Sequence, residues 1–270
     1  MKKRMIPQCL AAVLGLAAAA ADAQTPPAAP SPREIMERVA TTRKLDGSEA
    51  IVNMRIVSEK GDVRDRKIAL ATKLYDDGKT EKRVYRFSSP PDVAGTGVLV
   101  FDYESQPDDI WVYLPGLRKT RRVLSSQRSQ SFMGSEFSYA DLNIPAVDDY
   151  DYKLLSTEAV GKDMCWVLEV LPKAAETRDA EGYSKKTYWI DQEKFTLRKA
   201  VFYDKEGKLS KELLSDAAEL VDPKNKRYRP MRMEMINKQN GRKSIFESEQ
   251  FVFSPKAKDE YFTPGYLERP

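Results

Sequence analysis

Histidine is absent from the 270 residues, and cysteine occurs only twice. Without histidine, Ser-His-Asp and Cys-His catalysis and histidine-ligated zinc are excluded. Cys9 lies in an N-terminal stretch that we expect to be cleaved, so Cys165 would have no partner for an intramolecular disulfide. Because Cys165 lies in the apolar segment DMCWVLEVLP, we expect it to be a buried, small apolar side chain.

Long apolar runs are lacking everywhere except at the N-terminus. Three basic residues at positions 2–4 precede a mostly apolar stretch at 5–20, and Ala-Asp-Ala at 21–23 forms a cleavage site. This pattern predicts a secretory signal peptide over residues 1–23. Cys9 lies within the apolar stretch and not at the cleavage junction, which argues against a lipoprotein anchor. We therefore expect a mature protein that is soluble outside the cytoplasm.

An excess of one charge is lacking as well. Lys and Arg number 45 against 41 Asp and Glu, and such a balance argues against general nucleic-acid binding. The Pro-rich residues 24–32 read as a flexible lead-in, followed by a single domain over residues 33–270. We expect no cofactor and no metal, since the Asp-rich residues 148–151 lack EF-hand spacing.

One amphipathic helix opens the domain. Ser31 is a good N-cap, Pro32 suits the first helical position, and Glu34 completes a capping box. Asp46-Gly47 ends the segment. Its apolar stripe, expected to pack on a sheet, is Ile35, Met36, Val39 and Ala40.

The remaining pattern is one of hairpins. Turn sequences such as EKGD, DDGK and QNGR separate about a dozen strand-like segments, of which residues 207–220 also fit a helix. The predicted strands are 48–58, 63–75, 80–88, 96–104, 109–115, 118–124, 150–157, 163–171, 184–191, 195–204, 207–220, 228–237 and 243–253. The fold class is therefore mainly β (α+β), with a large curved antiparallel sheet. A closed membrane barrel is disfavoured because charged residues interrupt the alternation at 64–67.

Two strands are apolar on both faces. Leu99 and Phe101 alternate with Val98 and Val100, and the segment at 110–114 repeats the pattern. An antiparallel sheet with one solvated face would alternate apolar with polar residues, so both faces should be covered. The cover could be helices, a second sheet or a ligand.

A basic run follows these strands. It consists of Arg118, Lys119, Arg121 and Arg122. On a strand the four side chains divide between the two faces, and the run fits a solvated edge that prevents aggregation. Alternatively, it docks to lipid phosphates or to an acidic partner surface.

A polar segment with scattered aromatic residues comes next, over residues 125–142. It is either a packed loop or a lid over a groove, hinged near Gly134. The candidate lid residues are Phe132, Met133, Gly134, Phe137 and Tyr139.

Several motifs resemble the LolA-like, outer-membrane lipoprotein-sorting proteins. They are KTYWIDQEKFTLRKAVFYDKEGKL and the terminal EYFTPGYL, and SPPDVAGTGVLVFDY, DDIWVYLPGLRKTRRV and SFMGSEFSYADL are similar to the subfamily associated with RND-type lipid exporters. The resemblance implies an unclosed β-barrel whose helices plug an apolar cavity that accepts acyl chains. It also implies a periplasmic location, transient membrane contact and an inner-membrane RND-type partner.

A carrier of this class needs a dry, deformable slot, because an acyl chain costs roughly 0.8 kcal/mol per CH₂ to leave in water. Methionine adapts to variable shapes, although ordinary core packing explains the same residues. The groove candidates are Val52, Met54, Ile56, Ile68, Leu70, Leu99, Phe101, Trp111, Tyr113, Phe195, Leu197, Met231, Met233 and Met235.

The functional hypothesis is a non-enzymatic carrier that moves a lipid or lipoprotein from an inner-membrane exporter toward the outer membrane. A lipid sensor or scaffold of an envelope complex would use the same groove. A hydrolase based on carboxylates is the third class, but the carboxylate clusters fall at turns, where Asp is favoured for local hydrogen bonding. The sequence leaves the cargo, the partner and the direction of transfer open.

Overall fold

The computed structural model describes residues 29–143 and 146–269. The predicted signal peptide lies outside the described residues, as does most of the lead-in. Among the described residues, no helix is long and apolar enough to cross a membrane. The helices are α1 (Pro32–Arg43), α2 (Ala175–Glu181) and α3 (Pro264–Leu267). The strands are β1 (Gly47–Val57), β2 (Val63–Tyr75), β3 (Thr80–Ser89), β4 (Gly97–Tyr103), β5 (Asp109–Leu114), β6 (Lys119–Arg122), β7 (Tyr150–Val160), β8 (Asp163–Pro172), β9 (Lys185–Asp191), β10 (Leu197–Tyr203), β11 (Leu209–Ser215), β12 (Glu219–Asp222), β13 (Arg227–Arg229), β14 (Arg232–Asn237) and β15 (Lys243–Phe253).

Helix α1 begins as its capping sequence predicts. The Ser31 side chain accepts a hydrogen bond from the backbone N–H of Glu34, and the Glu34 carboxylate accepts one from the backbone N–H of Ser31. This reciprocal box satisfies two of the N–H groups that a helix start leaves without partners. Ile35, Met36 and Val39 are buried, so the apolar stripe packs on the sheet.

Thirteen strands form one antiparallel sheet in the order β6-β5-β4-β3-β2-β1-β15-β14-β11-β10-β9-β8-β7. The order follows the chain except at two pairings. Strand β15 returns to pair with β1, which joins the two halves of the chain, and β11 pairs with β14, because β12 and β13 lie outside this sheet. Strands β6 and β7 are the two ends of the order, so the curved sheet is unclosed. This confirms the predicted fold class.

Two predicted strands are each divided in the structure. The segment 207–220 forms β11 and part of β12, and the segment 228–237 forms part of β13 and then β14. Strands β12 and β13 pair only with each other, as a separate two-stranded sheet. The helical alternative for 207–220 is wrong, and the sequence reasoning missed α2 and α3.

Both faces of β4 are covered, as the doubly apolar pattern predicted. Val98, Leu99 and Val100 are each 0% exposed. Val98 and Val100 pack with α1 and with residues 132–142, on what we call the inner face. Leu99 packs with residues 257–267 on the outer face. The covers are therefore segments of the chain itself.

Candidate functional site

The inner face of the central strands is a continuous apolar wall. Met54 on β1 pairs with Phe246 on β15, and Phe246 pairs in turn with Met233 on β14. Met54 and Met235 are almost fully buried, while Met233 and Phe246 are partly buried against the same core. Side chains alternate along a strand, so these residues point to one side of the sheet. The wall thus crosses the junction between the two halves of the chain.

The structure divides the predicted groove residues between the two faces. One group lies on the inner face: Val52, Met54, Ile56, Ile68, Leu70, Phe195, Leu197, Met233 and Met235. A second group lies on the outer face: Leu99, Phe101, Trp111 and Tyr113. Met231 precedes β14 and is half-exposed. The sequence cannot show which face of a doubly apolar strand is the inner one, so sequence alone places both groups in one groove.

Residues 128–143, which we call the strap, cross the inner face and contain the predicted lid. Phe132 is 0% exposed, and its ring centroid lies 5.5 Å from that of Tyr85 and 6.2 Å from that of Phe246. The ring centroids of Phe137 and Phe246 lie closer together, at 4.5 Å. Three candidate lid residues therefore differ in exposure: Phe132 and Phe137 are buried, whereas Gly134 is exposed.

The tip of the strap has a backbone that folds back on itself. The backbone N–H of Phe132 donates to the carbonyl of Phe137 at 2.7 Å, which closes a short loop. Met133 and Gly134 have φ values of +50° and +78°, in the left-handed region that favours glycine. Substituting Gly134 would strain this turn.

A buried charged cluster anchors the C-terminal end of the strap. Arg83, which is 5% exposed, pairs with Asp102 at 2.8 Å and donates to the Asn143 side-chain oxygen at 2.7 Å. It also donates to the carbonyl of Leu142. Asp108 accepts a hydrogen bond from the Asn143 amide, and burial and the neighbouring Asp102 raise the pKa of Asp108 to about 6.

A second anchor lies on the other side of the strap. The hydroxyl of Tyr183 donates to the strap carboxylate Asp141 at 3.2 Å. Next to it, Lys186 pairs with Glu181 at 2.6 Å, and both are largely buried. Burial works to lower the pKa of Lys186, but Tyr188 and Glu181 hold that pKa above its ordinary value.

A third anchor surrounds Glu136, which is 7% exposed. Its carboxylate lies 2.9 Å from the guanidinium of Arg242 and accepts a hydrogen bond of 2.9 Å from the Asn237 amide. Its backbone carbonyl accepts from Lys211 at 2.7 Å, and its backbone N–H donates to the hydroxyl of Ser244 at 2.9 Å. Four side chains of the sheet and its hairpin thus hold one strap residue.

Sequence reasoning missed the buried charged residues at or beside the anchors, which are Arg83, Glu136 and Lys186. A signal was present for the last of these, since Lys186 shares its strand face with Tyr188 and Ile190, both of which are buried. A charged residue at an inward position of an apolar strand indicates a buried ion pair or a ligand. Glu136, in a loop, carries no such pattern.

The basic run lies at one edge of the sheet. Lys119, Arg121 and Arg122 are on the edge strand β6, and Arg118 precedes it with a φ of +47°. All four are exposed, and Arg122 pairs with Asp109. Leu117 and Leu124 flank the run and are 57% and 58% exposed. The edge therefore combines cations with exposed apolar side chains.

The outer face holds a pocket of about 330 Å³ beside the C-terminal cover. Ile51, Ala69 and Val84 contribute from the sheet, and Tyr261 and Tyr266 from the cover. A second pocket of about 280 Å³, near the end of α1, is lined mostly by charged residues.

The carboxylate clusters are engaged in ion pairs. Asp108 pairs with Arg128 at 2.6 Å, Asp109 pairs with Arg122, and Asp148 pairs with Arg33. Within the described residues, no group of three or more His, Cys, Asp or Glu side chains could hold a metal ion. Cys165 is 0% exposed, which confirms its predicted burial.

An open antiparallel sheet that encloses a helix and a plugging strap defines a LolA-like architecture. Solved structures share it. An outer membrane lipoprotein-sorting protein domain from Vibrio parahaemolyticus is 28% identical, with a TM-score of 0.79 over 88% of this chain and 98% of that one. A DUF1329 family protein from Desulfovibrio piger is 29% identical, with a TM-score of 0.80 over 87% and 97%.

A LolA superfamily protein from Nitrosomonas europaea is 21% identical, with a TM-score of 0.66, and covers 88% of this chain and 100% of its own; this likeness concerns the fold alone. A family model described as "-like: Uncharacterized protein" matches residues 79–269. No curated protein matches. The chain belongs to the LolA-like outer-membrane lipoprotein-sorting family, as the sequence resemblance predicted.

Proposed function

We propose that this protein is a periplasmic, non-enzymatic carrier of the acyl chains of a lipid or lipoprotein. One observation carries the proposal: the apolar inner wall is covered by a strap that charged and polar contacts hold at three anchors. An apolar wall stabilises an acyl chain roughly in proportion to the area removed from water. Cargo would replace Phe132 and Phe137 on the wall as the strap moves aside.

In this proposal, an inner-membrane exporter of the RND type delivers the cargo, and the carrier moves it toward the outer membrane. The similarity to the outer membrane lipoprotein-sorting protein domain from Vibrio parahaemolyticus supports this direction. Native mass spectrometry of protein purified gently from its own periplasm tests the carrier role. We expect a co-purifying lipid or acylated peptide, and its repeated absence would favour a scaffold that binds no cargo.

The basic edge strand is the surface by which the carrier would reach a membrane. Anionic lipid attracts Lys and Arg near its surface by about 1 kcal/mol each, and exposed leucines can enter the interfacial region. Replacing Arg118, Lys119, Arg121 and Arg122 with Ser should weaken sedimentation with anionic vesicles by at least tenfold while leaving the thermal unfolding transition nearly unchanged. Unchanged vesicle and partner binding would contradict this docking role.

A further inference from the structure

The third anchor of the strap has the composition of an anion site. Three cationic side chains converge on the strap tip: Arg242, Lys211 and Arg66. Of the three, only Arg242 faces a carboxylate of the strap, that of Glu136. Lys211 donates to the carbonyl of Glu136, and Arg66 donates to the carbonyl of Met133, so two cations are matched with neutral oxygens.

The surrounding charges support an excess of positive potential at this end of the wall. Burial and the neighbouring Arg64 lower the pKa of Arg66, and the nearby carboxylate of Asp92 offsets only part of this effect. An anionic group bound here would interact more strongly with these cations than the neutral carbonyls do, because hydrogen bonds between ionised groups are roughly twice as strong as those between neutral groups.

The side chains around the strap tip form a cage that directly adjoins the apolar wall. Ser244, which binds the backbone N–H of Glu136, pairs along the sheet with Ile56 on β1 and with Met235 on β14. Asn237, which binds the Glu136 carboxylate, ends the strand that carries Met235. A molecule with an anionic head in the cage would therefore place an apolar tail on these residues.

An exchange of Glu136 for another anion would keep the charges of the third anchor balanced. Gly134 is exposed and the Arg242 side chain is 37% exposed, but the Glu136 side chain is 8% exposed and the Nε atom of Arg242 that faces it is buried. Removing one partner of a buried ion pair is strongly destabilising, because the other charge is left uncompensated. The strap tip should therefore leave this position only when another anion takes the place of Glu136.

We propose that the Arg66, Lys211, Asn237, Arg242 and Ser244 cage binds the phosphate-bearing headgroup of an anionic phospholipid, and that Glu136 occupies this site when cargo is absent. The proposal rests on the proposed carrier function and deepens it by naming the headgroup class. The guanidinium of Arg242 can hold two phosphate oxygens at once, and Lys211 supplies a further donor. The carboxylate of Glu136 would be displaced with the strap tip.

The test uses the full mature chain and vesicles that contain phosphatidylglycerol and phosphatidylcholine with identical acyl chains. After incubation, the protein is separated and the two bound lipids are quantified by mass spectrometry. We expect the wild type to be enriched in phosphatidylglycerol relative to the vesicle. Glu136→Gln should raise bound phosphatidylglycerol by about tenfold, since it removes the competing charge.

The double variant Lys211→Gln with Arg242→Gln should bring the ratio of bound lipids back to that of the vesicle. Arg55→Gln is the matched control. Arg55 is on the same sheet, but its guanidinium pairs with Asp65 at 2.8 Å and does not contact the strap. Circular dichroism melts serve to check that each variant is folded. The headgroup site would be overturned if the double variant left the ratio of bound phosphatidylglycerol to phosphatidylcholine unchanged. It would also be overturned if Arg55→Gln changed that ratio as much as the double variant does.

The remaining outcomes separate this inference from the carrier function. If wild type and Glu136→Gln both bind the two lipids in the same ratio as in the vesicle, the headgroup site is refuted and the carrier function is not. No lipid bound by any variant would refute both. Inorganic phosphate should not displace bound phosphatidylglycerol, since it cannot use the apolar wall, and complete displacement would show a site for the free ion instead.

Discussion

The strap and the C-terminal cover bury the same strand, β4, from opposite sides and by different contacts. The cover, residues 257–267, places Leu267 at 0% exposure directly over Gly97, where an added Cβ would lie only 2.8 Å from the leucine side chain. The cover also has polar contacts, but the carboxylate of its ion pair between Lys73 and Asp259 is exposed. The strap instead combines buried rings with the ionisable groups Asp141 and Glu136, and the Glu136 side chain is only 8% exposed. A close apolar fit favours permanent attachment, whereas contacts that depend on a buried charge can be exchanged for contacts with another charge.

The largest expected effect compares one aromatic residue from each cover. Phe262 in the cover and Phe132 in the strap are 2% and 0% exposed. Replacing either by Ala should lower the free energy of unfolding by about 3–5 kcal/mol, because a cavity is left in a packed core. Phe132→Ala should also change the rate of lipid uptake, and Phe262→Ala should not. Equal effects on uptake, measured with a fluorescent lipid, would remove the functional distinction between the covers.

A smaller effect concerns the pH dependence of the strap anchor at Asp108. Its folded pKa of about 6 lies above the unfolded value of about 3.9, so the folded state binds more protons between these values. Stability from this group is therefore present at low pH and is lost as the pH rises toward 6.

Asp108→Asn removes this titration. The difference in unfolding free energy between wild type and Asp108→Asn should fall by about 2 kcal/mol from pH 4 to pH 7, measured by urea denaturation. A difference that stays constant over this range would show that Asp108 titrates normally.

The smallest effect is expected at the second anchor. Tyr183→Phe removes the hydrogen bond to Asp141 and keeps the ring, which packs on Phe202 at 4.9 Å between centroids. The unfolding free energy should fall by about 1 kcal/mol, and hydrogen exchange of the strap amides should accelerate. Exchange that is as slow as in the wild type would mean that the other two anchors are sufficient to hold the strap.

Local signals account for most of the fold that could be predicted. The capping box of α1 and the turn sequences between strands act over a few residues, so they are visible in the sequence. The break within 207–220 was not visible, because both halves have strand-like composition and only tertiary pairing separates β11 from β12. Helix α2 was missed because it is short and Ala174 provides no side-chain cap.

The candidate site was predicted less completely for a physical reason. Alternation assigned Val98 and Leu99 to opposite faces correctly, but which face is inner depends on where α1 and the strap pack. Contacts between Glu136 and Arg242 join residues more than 100 positions apart. No short-range pattern encodes such a pair, and Arg83 was likewise invisible as an anchor for Leu142.

The two free edges, β6 and β7, have a consequence for the size of the interior. In a closed barrel, the number of strands and their stagger fix the circumference. Thirteen strands that do not close are released from that condition, so the curvature can change while every backbone ladder between neighbours stays intact. The interior can therefore widen or narrow to match its contents without any strand separating from its partner.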